Sequence, residues 1–249
     1  MPATRREAAR FPTTRWSLVD VIRRGDARAT REALEELLGR YLPALRAHVV
    51  FRRRVSRDEA DDLIQEFIAS RILEKDLIAR ADRNRGRFRT YLLKALDRFL
   101  IDWVRRARAK KRSPGDGAIV PLDDQDQSLQ WQETPSDVFH TTWARGVVAE
   151  ALRRVRSQCE SSSRMDLWGI LECRLLDPIL KGIEPAEYGQ LVERFELKSP
   201  AQASNLLITG RRMCARALRS VVAEYAQDDQ EIESEIAELR EILAQGGRL

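Results

Sequence analysis

Four apolar pairs, Tyr91/Leu92, Ala95/Leu96, Phe99/Leu100 and Trp103/Val104, recur at intervals of four residues. A helix puts all four pairs on one side, whereas a strand would split each pair between its two faces. The run then passes into Arg105, Arg106, Arg108, Lys110, Lys111 and Arg112 before Ser113-Pro114-Gly115 ends it. No strand-like alternation of useful length occurs elsewhere, and there is no internal repeat. The chain is therefore expected to be all-α.

Other segments share the helical period. A short helix is expected over about 14–24, closed by Gly25-Asp26. Leu34, Leu37, Leu38, Tyr41, Leu42, Leu45 and Val49 follow at three-four spacing. Ser56 with Glu59 three residues later is a capping box, and it opens a helix carrying Leu63, Ile64, Phe67, Ile68, Ile72 and Leu73. Helices are expected again from about 139 through Val155, over about 165–181, and after Pro185. Another begins at Ser199-Pro200, with serine as N-cap and proline at the first helical position. Ile232, Ile236, Leu239 and Leu243 stripe a last amphipathic helix over 228–244. The short helix, turn and long helix at 186–219 have the outline of a helix-turn-helix.

Charge divides the chain into four blocks. Residues 1–112 hold 29 Lys/Arg against 16 Asp/Glu, a net charge of +13. Residues 113–144 hold six acids and no Lys or Arg. Residues 145–226 come to +3, and the last 23 residues to −5. Within 113–137, three prolines, two glycines and Asp116, Asp123, Asp124, Asp126, Glu133 and Asp137 erase any helical period. The expected layout is a first helical domain over 11–112, an acidic linker over 113–137, a second helical domain over 138–226 containing the helix-turn-helix, and an acidic helical tail over 227–249. A basic domain favours a polyanion, because each neutralised phosphate releases counterions.

Cysteine use points the same way. Cys159, Cys173 and Cys214 are odd in number and form no CxxC, and His48 and His140 are the only histidines. Neither a zinc site nor a disulfide is expected, and a reducing cytoplasm fits. The opening Met-Pro-Ala-Thr-Arg-Arg is not followed by an apolar run, and no stretch has the roughly 20 apolar residues of a membrane span. No membrane association is expected.

Three constellations could carry function. Asp58, Glu59, Asp61, Asp62 and Glu66 place five carboxylates on one short helix. They could form a solvated face, a metal site or a catalytic acid/base set, although no histidine is near to help ligate. The basic loop 82–89 and the aromatic helix behind it combine cations with flat side chains, as single-stranded DNA binding requires. Phe99 and Trp103 lie on the apolar stripe and are expected in the core, while Phe88 precedes the stripe and is expected to be more exposed. In the helix after the turn, Gln202, Ser204 and Asn205 lie where side chains reach base edges, and Thr209, Arg211 and Arg212 suit phosphates.

The order of the three resembles a known family. The string Asp58-Glu59-Ala60-Asp61-Asp62-Leu63-Ile64-Gln65-Glu66-Phe67 resembles region 2.2 of extracytoplasmic-function (ECF) sigma factors, usually D-A-x-D-L-x-Q-E-x-F. Gly86-Arg87-Phe88-Arg89-Thr90-Tyr91-Leu92-Leu93, followed by Asp102-Trp103-Val104-Arg105-Arg106, resembles regions 2.3–2.4. The opening Phe11-Pro12-Thr13-Thr14-Arg15-Trp16-Ser17 and the Gln65-Glu66-Phe67 form are similar to a set of such factors from planctomycete-like bacteria. The resemblance implies a non-enzymatic subunit that lends promoter recognition to RNA polymerase, with no cofactor. It implies that Asp61, Asp62, Gln65 and Glu66 dock on the clamp helices of the largest polymerase subunit. Arg87, Phe88, Arg89, Thr90, Tyr91, Lys94, Arg98, Arg105 and Arg106 would meet the minus-ten DNA. Ser199, Gln202, Ser204, Asn205, Thr209, Arg211 and Arg212 would meet the minus-thirty-five element. The other implied partners are the flap of the second-largest subunit, promoter DNA and an anti-sigma factor. The acidic linker would thread basic walls of the polymerase.

The chain departs from the pattern in three places. Asn205-Leu206-Leu207 stands where many relatives carry arginine, Asp97 and Asp102 lie on the helix expected to approach DNA, and the acidic tail is an addition. The tail is expected either to fold back on a basic domain as a brake or to bind a partner helix. Two other readings compete with the sigma factor. One is a stand-alone helix-turn-helix regulator dimerising through 232–243. The other is an enzyme holding a divalent metal on the 58–66 carboxylates.

Overall fold

A computed structural model describes residues 16–82, 85–111, 134–226 and 228–246. The opening string 11–15, Arg83, Asn84 and the linker residues 112–133 lie outside the described residues. Among the described residues every regular element is helical, so the protein is all-α. The chain divides into two compact units, 14–144 with 241–249 and 145–240.

The first unit starts with α1 (Trp16–Arg24), which buries Leu18 and Val19. Gly25, at φ +77°, ends α1 in a left-handed conformation that glycine adopts without Cβ strain. Asp26 then caps α2 (Ala27–Arg53), its carboxylate accepting from the Ala29 N–H at 2.8 Å. Arg23 ties α1 to the loop after α3, donating to the carbonyls of Ala79 (2.9 Å) and Ala81. α2 buries Leu34, Leu37, Leu38, Tyr41, Leu45 and Val49, six of the seven residues whose spacing predicts it, and leaves Leu42 half-buried. Pro43 lies inside α2 and removes one rung of its hydrogen-bond ladder.

α3 (Arg57–Phe67) opens on the expected capping box. The Glu59 N–H donates to Ser56 Oγ at 3.2 Å, and the Ser56 N–H donates to Glu59 at 3.0 Å. α3 buries Ala60, Leu63, Ile64 and Phe67, then widens into a π-helical turn over Ile68–Leu73. α4 (Phe88–Lys111) buries Leu92, Leu93, Leu96, Phe99 and Leu100, and Phe67 packs against Phe99 at 5.6 Å between centroids. α5 (Pro135–Ser161) begins earlier than the periodicity from 139 predicts. Thr134 and Asp137 cap each other at its start, the Asp137 N–H donating to Thr134 Oγ1 at 3.2 Å. Its residues 135–144 belong to the first unit and bury Phe139 and Trp143.

The second unit runs from residue 145, inside α5, to residue 240. Its core joins Val155 and Cys159 of α5 to α6 (Met165–Leu171), α8 (Tyr188–Arg194) and α9 (Pro200–Ala223). α6 passes through a π-helical turn at Glu172–Leu176 into α7 (Asp177–Lys181), the continuous span expected over 165–181. α8 starts at Tyr188, not directly after Pro185, because Glu187 and Gln190 cap it there. α6 packs closely against its neighbours at two glycines. A Cβ on Gly210 of α9 would lie 3.2 Å from Leu171, and one on Gly169 would overlap the Phe195 ring. The last helix, α10 (Asp229–Gly246), buries Ile232, Ile236 and Leu239.

Candidate functional site

Two surfaces of the first unit gather the residues singled out by sequence. On α3, Asp58, Asp62 and Gln65 are exposed, and their spacing lines them along one stripe opposite the buried Leu63, Ile64 and Phe67. Asp61 is half-buried and paired with Arg46 of α2 at 2.5 Å. Glu66 is half-buried and bonded to Arg106 of α4 at 3.2 Å. The five carboxylates thus divide by task. Glu59 caps its helix, Asp61 braces α2, Glu66 reaches α4, and Asp58 and Asp62 face outward. The Ser56 hydrogen bonds hold the Glu59 carboxyl below its ordinary range.

On α4 the exposed residues form a second stripe. Lys94, Arg98, Ile101, Arg105 and Arg108 are exposed and follow four-three-four-three spacing. This row runs about 21 Å along the helix at 1.5 Å per residue. Among the described residues none of its four cations has an ion-pair partner. A row of unneutralised cations on a rigid helix suits a phosphate backbone.

The loop in front of α4 is placed differently from expectation. Phe88 is not exposed. It retains 4% of its surface and packs among Trp16 (6.2 Å), Tyr41 (5.5 Å) and Tyr91 (6.3 Å between centroids). The apolar period begins one turn earlier than the pairs from Tyr91 show, and Trp16 and Tyr41, distant in sequence, close the pocket. Arg89 is buried too, at 3%, with its guanidinium 4.2 Å over the Trp143 ring. Tyr91 is half-buried and donates its hydroxyl to the Leu77 carbonyl at 2.9 Å, and burial raises its pKa. These three side chains anchor the first turn of α4. Arg87 and Thr90 are half-buried beside them.

The two acids on α4 are absorbed by the fold. Asp97 accepts from buried His48 Nε2 at 2.8 Å and lies 3.5 Å from Arg52. The other ring nitrogen of His48 meets the Pro135 carbonyl at 2.8 Å, so one imidazole links α2, α4 and the start of α5. Asp102 pairs with Arg71 at 2.6 Å. Both carboxylates border the cationic stripe, Asp97 one turn from Lys94 and Asp102 one turn from Arg98 and Arg105, but each is bonded to a partner on another helix or turn. Burial and the cations of Arg89 and Arg87 depress the His140 pKa, against the opposing pull of Asp137. Sequence reasoning missed His48, whose spacing within α2 reads simply as one more core position.

In the second unit, Ser199 and Gln202 are occupied at the helix start. The Gln202 N–H donates to Ser199 Oγ at 3.3 Å, and the Gln202 side-chain carbonyl accepts from the Lys198 N–H at 2.8 Å. Ser204 is half-buried. Asn205, Thr209, Arg211 and Arg212 are exposed, and the Thr209 hydroxyl donates back to the Asn205 carbonyl at 2.9 Å. Asn205, Thr209, Arg212, Arg216 and Arg219 fall on one stripe of α9, opposite the buried Ala203, Leu206, Leu207 and Gly210.

No group of three or more His, Cys, Asp or Glu among the described residues is placed to hold a metal ion. No described helix is long and apolar enough to cross a membrane. No family model, curated protein or solved structure matches the chain.

Proposed function

We propose that the protein is an ECF-type sigma factor, a non-enzymatic cytoplasmic subunit that binds core RNA polymerase and directs promoter-specific initiation. One observation carries the reading, together with the resemblance of 58–106 to that family. The 3.2 Å bond between Glu66 and Arg106 sets the outward-facing acids of α3 beside Lys94, Arg98 and Arg105 of α4, which have no ion-pair partner among the described residues, within a single helical unit. An acidic face meets a basic protein surface, and the adjoining cationic row meets DNA. Promoter capture needs both at once, because the polymerase must be held where the duplex is opened.

The placement supports the following roles. Asp62 and Gln65 are the outward docking residues on the clamp helices. Lys94, Arg98 and Arg105 contact the minus-ten phosphates. Phe88, Arg89 and Tyr91 act as positioning residues that anchor the start of α4 rather than as stacking surfaces. Strand opening requires no chemistry, only tighter binding of the unpaired strand than of the duplex. The second unit reads duplex DNA through Asn205, Thr209 and Arg212, with α8 and α9 as a helix-turn-helix. Dimerisation through 232–243, which a stand-alone regulator needs, is disfavoured because Ile232, Ile236 and Leu239 are buried in the chain itself.

Run-off transcription with purified core polymerase on a genomic fragment library tests the function. Discrete start sites that appear only when the protein is added are the expected result. Transcripts identical with and without it would contradict the reading.

A further inference from the structure

The acidic helix α10 meets α9 at a defined place. Asp229 lies 2.9 Å from Arg219, and Glu233 bonds to the same guanidinium. Arg219 is the last residue of the α9 stripe formed by Asn205, Thr209, Arg212, Arg216 and Arg219. The stripe's other arginines, Arg212 and Arg216, are exposed and without an ion-pair partner among the described residues. The two carboxylate oxygens occupy the guanidinium N–H donors that the two free oxygens of a backbone phosphate would otherwise take.

The attachment of α10 has a buried part and an exposed part. Ile232, Ile236 and Leu239 are buried, and the Tyr225 hydroxyl donates to the buried Glu235 at 3.2 Å. These contacts hold the helix in place. By contrast, the Asp229 and Glu233 side chains are 89% and 66% exposed. Ion pairs so exposed contribute little to stability and are screened by salt. A polyanion can therefore displace them without unfolding the helix.

We propose that α10 is a built-in, displaceable competitor for nucleic acid, its Asp229 and Glu233 occupying the cationic stripe of α9 at Arg219. The proposal rests on the reading of α9 as a duplex-facing helix and is independent of polymerase docking. It converts the acidic tail from an addition into a brake on non-specific DNA binding. Weak, scattered phosphate contacts lose to the tethered carboxylates, whereas a promoter held by further contacts wins.

The test compares the full chain with Asp229→Asn/Glu233→Gln, which leaves every buried contact of α10 in place. Binding to a labelled mixed-sequence DNA duplex is followed by fluorescence anisotropy across a range of salt. Freeing one arginine for one more phosphate should tighten binding at low salt roughly three- to tenfold and steepen the salt dependence by about one counterion. Adding Arg219→Ala to that variant should return both quantities to the wild-type values. Affinity and slope unchanged in the double variant would overturn the proposal, as would a gain that persists without Arg219. A gain that Arg219→Ala erases, in a chain that fails to direct run-off transcription, would leave the brake standing and remove the sigma reading.

Discussion

At the scale of single residues, burial decides which side chains are free to act. Phe88 and Lys94 lie six positions apart on the segment that the proposed function assigns to DNA, and the fold buries the first and exposes the second. Phe88 fills a pocket made by Trp16, Tyr41 and Tyr91. Phe88→Ala should cost about 3–5 kcal/mol, the range for deleting a fully packed aromatic ring. Lys94 is exposed, so Lys94→Ala should leave stability within about 0.5 kcal/mol while weakening binding of promoter DNA by the polymerase complex. Urea denaturation and a salt-controlled binding assay separate the two effects. Equal stability losses in both variants would contradict the assignment. Sequence spacing alone could not make the distinction, because the residues that bury Phe88 include Trp16 of α1 and Tyr41 of α2.

At the scale of elements, local rules are legible in the sequence and tertiary closure is not. The Ser56–Glu59 capping box, the Ser199-Pro200 helix start and the 165–181 span all form as their residues require. Each depends on neighbours within a turn or two. The start of α5 at Pro135 is hidden inside the stretch expected to be acidic linker, since Thr134 and Asp137 cap it without any apolar period. Ser199 illustrates how a cap competes with a binding role. Its hydroxyl is committed to the Gln202 N–H, so Ser199→Ala should cost about 1 kcal/mol of stability. Ser199→Asp should keep most of that stability, because a carboxylate caps a helix N-terminus and suits its dipole. Thermal and urea unfolding of the three proteins check the order. If Ser199→Asp is as unstable as Ser199→Ala, the hydroxyl has a role other than capping.

At the scale of the whole molecule, function follows from how charge is sorted. The acids of 58–102 could in principle neutralise the neighbouring cations one for one. The fold instead commits Asp61, Glu66, Asp97 and Asp102 to Arg46, Arg106, His48 with Arg52, and Arg71. That leaves an outward acidic stripe on α3 and, on α4, a basic stripe with no ion-pair partner among the described residues. Composition shows only that the first half of the chain is basic, and the sorting becomes visible when the helices are packed. The most direct measurement of the central claim is the affinity of the purified protein for core RNA polymerase, compared with Asp62→Ala/Gln65→Ala. The double variant should fold as the wild type does and bind core more weakly by about 1–3 kcal/mol, the scale of interface hot spots. Wild-type protein that does not bind core, or a double variant that binds it equally well, would contradict the account.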